Sequence, residues 1–268
     1  MFLHIHHETH YHYDHPVQYS IQALRLTPRQ EGATRVREWR LSTPGSRNPQ
    51  TDAYGNLSHI LTLEQPHEDI HILAEGWVEM LESAGEWLED DGRLSVLAYL
   101  QETPLTRASP DMEKLAVEYL RNPHFELALE ALMLATQTRI EYRSGSTGVE
   151  CSAAETWAQG FGVCQDHAQV MVACCRAAGI PARYVSGYLY TGDEGHISSH
   201  AWMDAWNGKR WLSCDATHAR FTNSAYCRLA VGRDYLDACP VRGIRHGGGQ
   251  EIMSATVQVD QHLQFLQQ

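Results

Sequence analysis

The sequence predicts an α+β fold, with an antiparallel β-rich front domain over residues 1–85 and a helix-plus-sheet rear domain over residues 86–268. Three observations carry this expectation. Short alternating segments broken by turn residues fill Leu3 to about Val78, helix-start signals cluster between Ser109 and Cys164, and alternating runs return after Gly179. The chain has 268 residues, 43% of them hydrophobic and 20% charged. That length and usage support a real core and exclude wholesale disorder or a fibrous repeat.

In the front domain the strand candidates are Val17 to Leu26, Arg35 to Leu41 and His59 to Leu63, with Pro44-Gly45 and Asp52 to Asn56 as turns. Residues 80–105 are acidic and irregular, as a connection would be. Ser109-Pro110-Asp111 has the form of an N-cap, an N1 proline and an acidic first turn, and Phe125 to Thr138 has helical apolar spacing. Ser152-Ala153-Ala154-Glu155 is a capping-box pattern opening a short helix to about Gln159. Gly160-Phe161-Gly162 breaks that helix. The next one starts at Cys164 and ends at Gly179, with Pro181 beyond; it is apolar nearly all round and so expected to be buried. Ala182 to Tyr190, Ser199 to Trp206, Arg210 to Cys214 and Ile252 to Val259 read as strands.

Charge narrows the function classes. Against 33 Asp+Glu stand 21 Lys+Arg, a formal charge of −12 with no basic stripe, which speaks against nucleic acid or an anionic membrane as partner. The start of the chain has no secretory pattern, and the longest apolar runs fall far short of a membrane span. Seven cysteines, with no Cys-x-x-Cys, fit a reduced, cytoplasmic setting better than a disulfide scaffold or a zinc ribbon. No loop has EF-hand spacing, and neither a cofactor nor a resident metal is expected.

Cys164 opens a helix after a glycine-containing turn, where unpaired N–H groups and the macrodipole favour a thiolate. From position alone it reads either as a nucleophile or as a small buried hydrophobe. The segment around Asn207-Gly208 adds to this. A two-residue type I′ turn there makes paired residues sum to 415, setting Asp204 opposite Trp211, Trp202 opposite Ser213 and His200 opposite Asp215. A carboxylate is thereby delivered to an imidazole. If that edge meets the start of the Cys164 helix, the set is a Cys–His–Asp triad; otherwise it is an ordinary cross-strand ion pair.

Gly162-Val163-Cys164-Gln165-Asp166, Ala177-Ala178-Gly179-Ile180-Pro181-Ala182-Arg183-Tyr184-Val185-Ser186-Gly187-Tyr188, His200-Ala201-Trp202 and Asp215-Ala216-Thr217 together resemble the transglutaminase-like, papain-related cysteine superfamily. Tyr11 to Val17, Leu24 to Arg29 and Asp52 to Asn56 resemble the β-domain preceding the core in bacterial members, and Gly232-Arg233-Asp234-Tyr235 with Pro240-Val241-Arg242-Gly243 fits their C-terminal stretch. The resemblance implies a papain-like core, its Cys helix packed on an antiparallel sheet. It also implies thiol acyl chemistry on a protein or peptide amide, passing through a thioester to an amine or to water. Two positions depart from the pattern. His167 stands where Phe is commoner, and Ala216 replaces the usual proline after the acid.

Other assignments stay open at this stage. His167, three residues after Cys164 on a helix, is a rival base to His200. Oxyanion donors are expected from the Cys164 backbone N–H together with Gln159 or Trp157. Asp166 reads as a first-turn helix charge. His4, His6, Glu8, His10 and His12 alternate along one strand face, as solvated decoration or as a metal-capturing ladder. Trp202, Trp206 and Trp211 either line a substrate channel or fill one side of the hairpin. A non-catalytic peptide-binding module on the same fold is the rival reading of the whole chain.

Overall fold

The computed structural model describes residues 1–82, 87–192 and 199–262, so the expected boundary at 85/86 falls outside the described residues. The front half comprises β1 (Phe2–Leu24), β2 (Thr34–Ser42), β3 (Ser46–Thr51), β4 (Leu57–Leu63) and β5 (His67–Met80). After β6 (Trp87–Leu88), two 3₁₀ turns at Val96–Leu100 and Pro104–Thr106 fill the irregular connection. The rear half follows as α1 (Pro110–Leu120), α2 (Phe125–Arg139), β7 (Glu141–Tyr142), α3 (Ala153–Gln159), β8 (Phe161–Gly162), α4 (Cys164–Ala177), β9 (Ala182–Leu189), β10 (Ser199–Trp206), β11 (Trp211–Asp215), β12 (Arg220–Phe221), β13 (Tyr226–Gly232) and α5 (Tyr235–Ala238). The chain then returns as β14 (Val241–Gly247) and β15 (Glu251–His262).

β1 is the spine of the front sheet, which among the described residues runs β2-β5-β1-β4-β3. Leu3, Ile5, His7 and Thr9 turn inward and the residues between them outward, the period-2 alternation of a half-buried strand. The sequence marks His4 to His12 along one strand face and a further strand from Val17; the two are one strand, which continues through residues 14–16 with a shift of register against β5 between His12 and Val17. β5 was not among the expected strands. Residues 241–262, assigned to the rear domain above, pair with β1 instead. Their pairing covers a β1 edge that would otherwise stand open to another chain.

The rear sheet, β12-β11-β10-β9-β13 with β6 on β11, packs against α4. All eight residues of β9 are buried, since the strand lies between neighbours in the sheet and beneath α4. Local chemistry explains the helix boundaries. Ser109 Oγ caps α1 above Pro110, and the Ser152–Glu155 capping box forms as predicted. Gly160 ends α3 at φ +77°, a left-handed conformation that suits glycine.

The two halves share a core in which Leu3, Ile5, Val78, Met80 and Val259 meet Tyr188, Cys227 and Leu229. A buried polar cluster binds them further. Asp204, with no exposure, accepts from Arg183 Nε at 2.7 Å and from Ser213 Oγ at 2.6 Å and pairs with Arg228. Arg228 Nε in turn donates to Glu31 of the front half at 2.9 Å. Burial opposes the charge on Asp204, but Arg228 and Arg183 overcome it and hold the carboxyl below its ordinary range.

Candidate active site

α4 places Cys164 in its first turn. The loop before it is pinned from both sides: β8 pairs with β7, and the Asp166 carboxylate accepts from Val163 N at 2.7 Å and from Thr147 Oγ1 at 2.6 Å. Asp166 therefore does more than decorate a helix end. It reaches back to fix the backbone immediately before the sulfur.

His200 reaches the site from β10, in a register that differs from the one expected. The observed pairs, Met203 with Cys214 through Trp206 with Trp211, sum to 417. The bend is centred on Gly208-Lys209, Gly208 taking φ +99°, while Asn207 Oδ1 accepts from Lys209 N at 2.9 Å and Arg210 N at 2.8 Å. Moving the bend by one residue moves the register by two, and a shift of two leaves every side chain on its original face. His200 and Asp215 become diagonal neighbours. His200 Nε2 still donates to Asp215 Oδ2 at 2.8 Å.

The Cys164 side chain also hydrogen-bonds to His200. Burial pushes the His200 pKa down, but the hydrogen bonds to Asp215 and Cys164 and the attraction of their charges outweigh it and lift it to about 9. Asp215 is fully buried. Burial would raise its carboxyl, yet donation from His200 and His218 drives it far below the usual range. Oδ2 also accepts from His218 Nδ1 and Tyr226 OH, both at 2.7 Å, and Oδ1 accepts from Thr217 N at 2.9 Å and His218 N at 3.3 Å. His200 Nε2, Asp215 and His218 Nδ1 lie within 4.8 Å of one another, the one such three-ligand set among the described residues.

Cys164 and His200 line a cavity of about 270 Å³ with Gln165, Tyr184 and Tyr235 of the rear half. Its opposite wall comes from the front sheet: His7, Thr9 and Tyr11 of β1 with Met253 and Ala255 of β15. A sulfur at a helix N-terminus, an imidazole, a carboxylate and an open cavity are thus adjacent.

These contacts fall within a chain of known kinship. Residues 3–79 match the bacterial transglutaminase-like N-terminal region, and residues 114–216 match the Transglutaminase-like superfamily. An uncharacterized protein of Mycobacterium leprae is 30% identical over 269 residues, covering 94% of this chain and 96% of its own. The chain belongs to the transglutaminase-like superfamily. An uncharacterized protein of Mycobacterium tuberculosis is 31% identical over 89% of this chain and 85% of its own. The protein-glutamine gamma-glutamyltransferase of Pseudomonas aeruginosa is 33% identical over 102 residues, which is 32% of this chain and 15% of that one. A solved structure from Cytophaga hutchinsonii, described as a "putative cysteine protease", superposes with a TM-score of 0.79 at 21% identity, covering 99% of this chain and 92% of that one; the two share a fold.

In this transglutaminase-like chain several residues weighed for the site lie away from the cavity or bond elsewhere. His167 Nδ1 faces the Val163 carbonyl at 3.0 Å and Nε2 the Ile140 carbonyl at 3.1 Å, so the ring is turned to backbone carbonyls rather than to the sulfur. Gln159 donates to the Phe161 carbonyl at 3.0 Å, and Trp157 sits against the rear core with Arg139 over its ring; neither lines the cavity. Trp202 and Trp211 are buried, Trp206 packs on Trp211, and none of the three borders the cavity. Trp202 stacks beside His200 instead, with ring centroids 6.1 Å apart.

On the outer face of β1, His10 and His12 hydrogen-bond to Asp69, each at 3.0 Å, and Glu8 to His71, as solvated cross-strand pairs. Sequence reasoning missed His218, Tyr226 and the front-sheet wall. His218 stands three residues after Asp215 and was open to notice; the others need the tertiary fold.

Proposed function

We propose that this protein performs thiol-dependent acyl chemistry on amide bonds, with Cys164 as nucleophile, His200 as acid and base, and Asp215 as the orienting acid. The observation that carries this reading is a buried imidazole held between a carboxylate at 2.8 Å and a cysteine at the head of a helix, on the wall of a cavity. His200, its pKa lifted to about 9, starts as the imidazolium beside the Cys164 sulfur. The sulfur adds to the carbonyl carbon of a protein or peptide amide, and negative charge develops on the oxygen. The first N–H groups of α4, those of Cys164 and Gln165, point from the positive end of the helix and are the natural donors to it. His200 passes its proton to the departing nitrogen, leaving a thioester; it then takes a proton from the incoming water or amine. Both acceptors fit this sequence of steps, and an amide-cleaving protease or amidase differs from an amine-transferring enzyme only in which one enters.

The rival, a peptide-binding module without turnover, predicts an ordinary thiol. Labelling with iodoacetamide across pH separates the two: labelling at Cys164 that stays fast below pH 7, and collapses in His200→Ala, supports the enzyme. Slow labelling that rises only with ordinary thiol ionisation, unaffected by His200→Ala, sinks it. A mass increase on Cys164 with glutamine-containing peptides, followed by transfer to a labelled amine or release by water, then identifies the acceptor.

A further inference from the structure

We infer that His200, Asp215 and His218 form a reversible binding site for a divalent transition-metal ion of the zinc class. A thiol triad uses one imidazole on its carboxylate. Here a second one, His218, brings Nδ1 to 2.7 Å from Asp215 Oδ2, although nothing in the acyl steps calls for it. Two imidazole nitrogens and a carboxylate oxygen within 4.8 Å of one another are the donor set of three-ligand zinc sites, which keep a further position for water.

The surroundings also suit a ligand set. The Thr217 and His218 amides hold the other carboxylate oxygen, and Tyr226, itself accepting from Arg220 Nε at 2.9 Å, steadies Oδ2 from behind; such outer contacts fix the direction in which ligands point. Entry is available because 40% of the His218 side chain is exposed while His200 and Asp215 are buried. Proton balance is simple. On binding, the Nε2 proton of His200 leaves to solvent, and His218 carries its ring proton on the outer nitrogen Nε2 instead of Nδ1.

An occupied site withdraws His200 from acid–base duty, so bound metal silences Cys164. That consequence rests on the catalytic reading above; the binding does not. Zinc titrated calorimetrically into Cys164→Ser, with cobalt substituted for its visible absorption, tests the site without sulfur as a ligand. One equivalent of zinc should bind. Adding His218→Asn, which keeps a side-chain donor for Asp215 but is a poor ligand, should weaken binding at least ~10-fold.

Replacing His10 and His71 on the outer sheet face should leave binding unchanged. Undiminished binding in His218→Asn, with circular dichroism confirming the fold, overturns the site, as does loss of binding only in the His10/His71 variant. In the native chain, zinc should slow iodoacetamide labelling of Cys164, and a chelator should restore it. Zinc that binds through His218 and leaves labelling untouched overturns the silencing while the site stands. A native thiol already sluggish without zinc counts against the catalytic reading alone, since the calorimetric arm needs no activity.

Discussion

Asp215 places three donors on a single carboxylate oxygen and two backbone amides on the other, which makes it the most constrained side chain of the candidate site. Its charge is what keeps the His200 imidazolium stable in a buried place, where desolvation alone would strip the proton. Asp215→Asn keeps the shape and removes the charge. The amide also offers His200 a donor as readily as an acceptor, so the ring loses both its preferred tautomer and its stabiliser. Turnover should fall on the order of 10⁴-fold, as in triads where this exchange leaves the geometry intact. The His200 pKa should also drop from about 9 toward its ordinary value, moving the alkaline limb of the labelling profile to lower pH. Near-native turnover in Asp215→Asn, with an unmoved profile, would remove Asp215 from the mechanism.

At the level of elements, the hairpin shows how much a sequence can say about a site and where it stops. The bend was legible as a bend, but Asn207 and Gly208 do not reveal which of them occupies its first central position; the Asn207 side chain settles that by capping Lys209 and Arg210. Because the resulting error is two residues, the faces survived and His200 still meets Asp215. The start of α4 was legible for a similar reason, since a cap, a glycine and an apolar run act within a few residues of one another. His167 as a rival base and Gln159 or Trp157 as oxyanion donors came from helix spacing, which gives a direction, whereas their partners, Ile140, Phe161 and Arg139, are set by packing. The caps themselves can be tested. Ser152 Oγ accepts from Glu155 N while Glu155 answers to Ser152 N, so Ser152→Ala should destabilise the protein by about 1 kcal/mol in urea unfolding. The loss should be confined to stability, because Gly160 and the β7–β8 pairing hold the Cys164 loop independently; a matching loss of labelling at Cys164 would show that α3 itself positions the sulfur.

Across the whole molecule, the cleft belongs to both halves, and this is why its front-sheet wall was invisible in the sequence: β1 and β15 are remote from Cys164 in the chain and reach it only through the shared core around Leu3, Tyr188 and Val259. His7 stands at that junction. It is buried, its Nδ1 2.8 Å from the Tyr188 hydroxyl and its Nε2 3.2 Å from Thr9 Oγ1. Burial, reinforced by neighbouring His6, lowers its pKa from 6.5 to about 4. The unfolded chain therefore binds a proton there between pH 6.5 and 4 while the folded chain does not, so stability falls as pH drops through that window. By pH 4 the loss amounts to about 3 kcal/mol. His200 acts in the opposite sense. Its folded pKa of about 9 lies above 6.5, so its contribution is complete below 6.5 and fades as pH climbs through 9. Together the two histidines favour a maximum near pH 6.5. His7→Gln keeps hydrogen-bonding capacity without a titrating ring, and it should flatten the acid limb while leaving the alkaline limb in place. Urea unfolding of both proteins between pH 4 and 9 measures this directly: parallel acid limbs would mean that His7 is not held neutral at the junction.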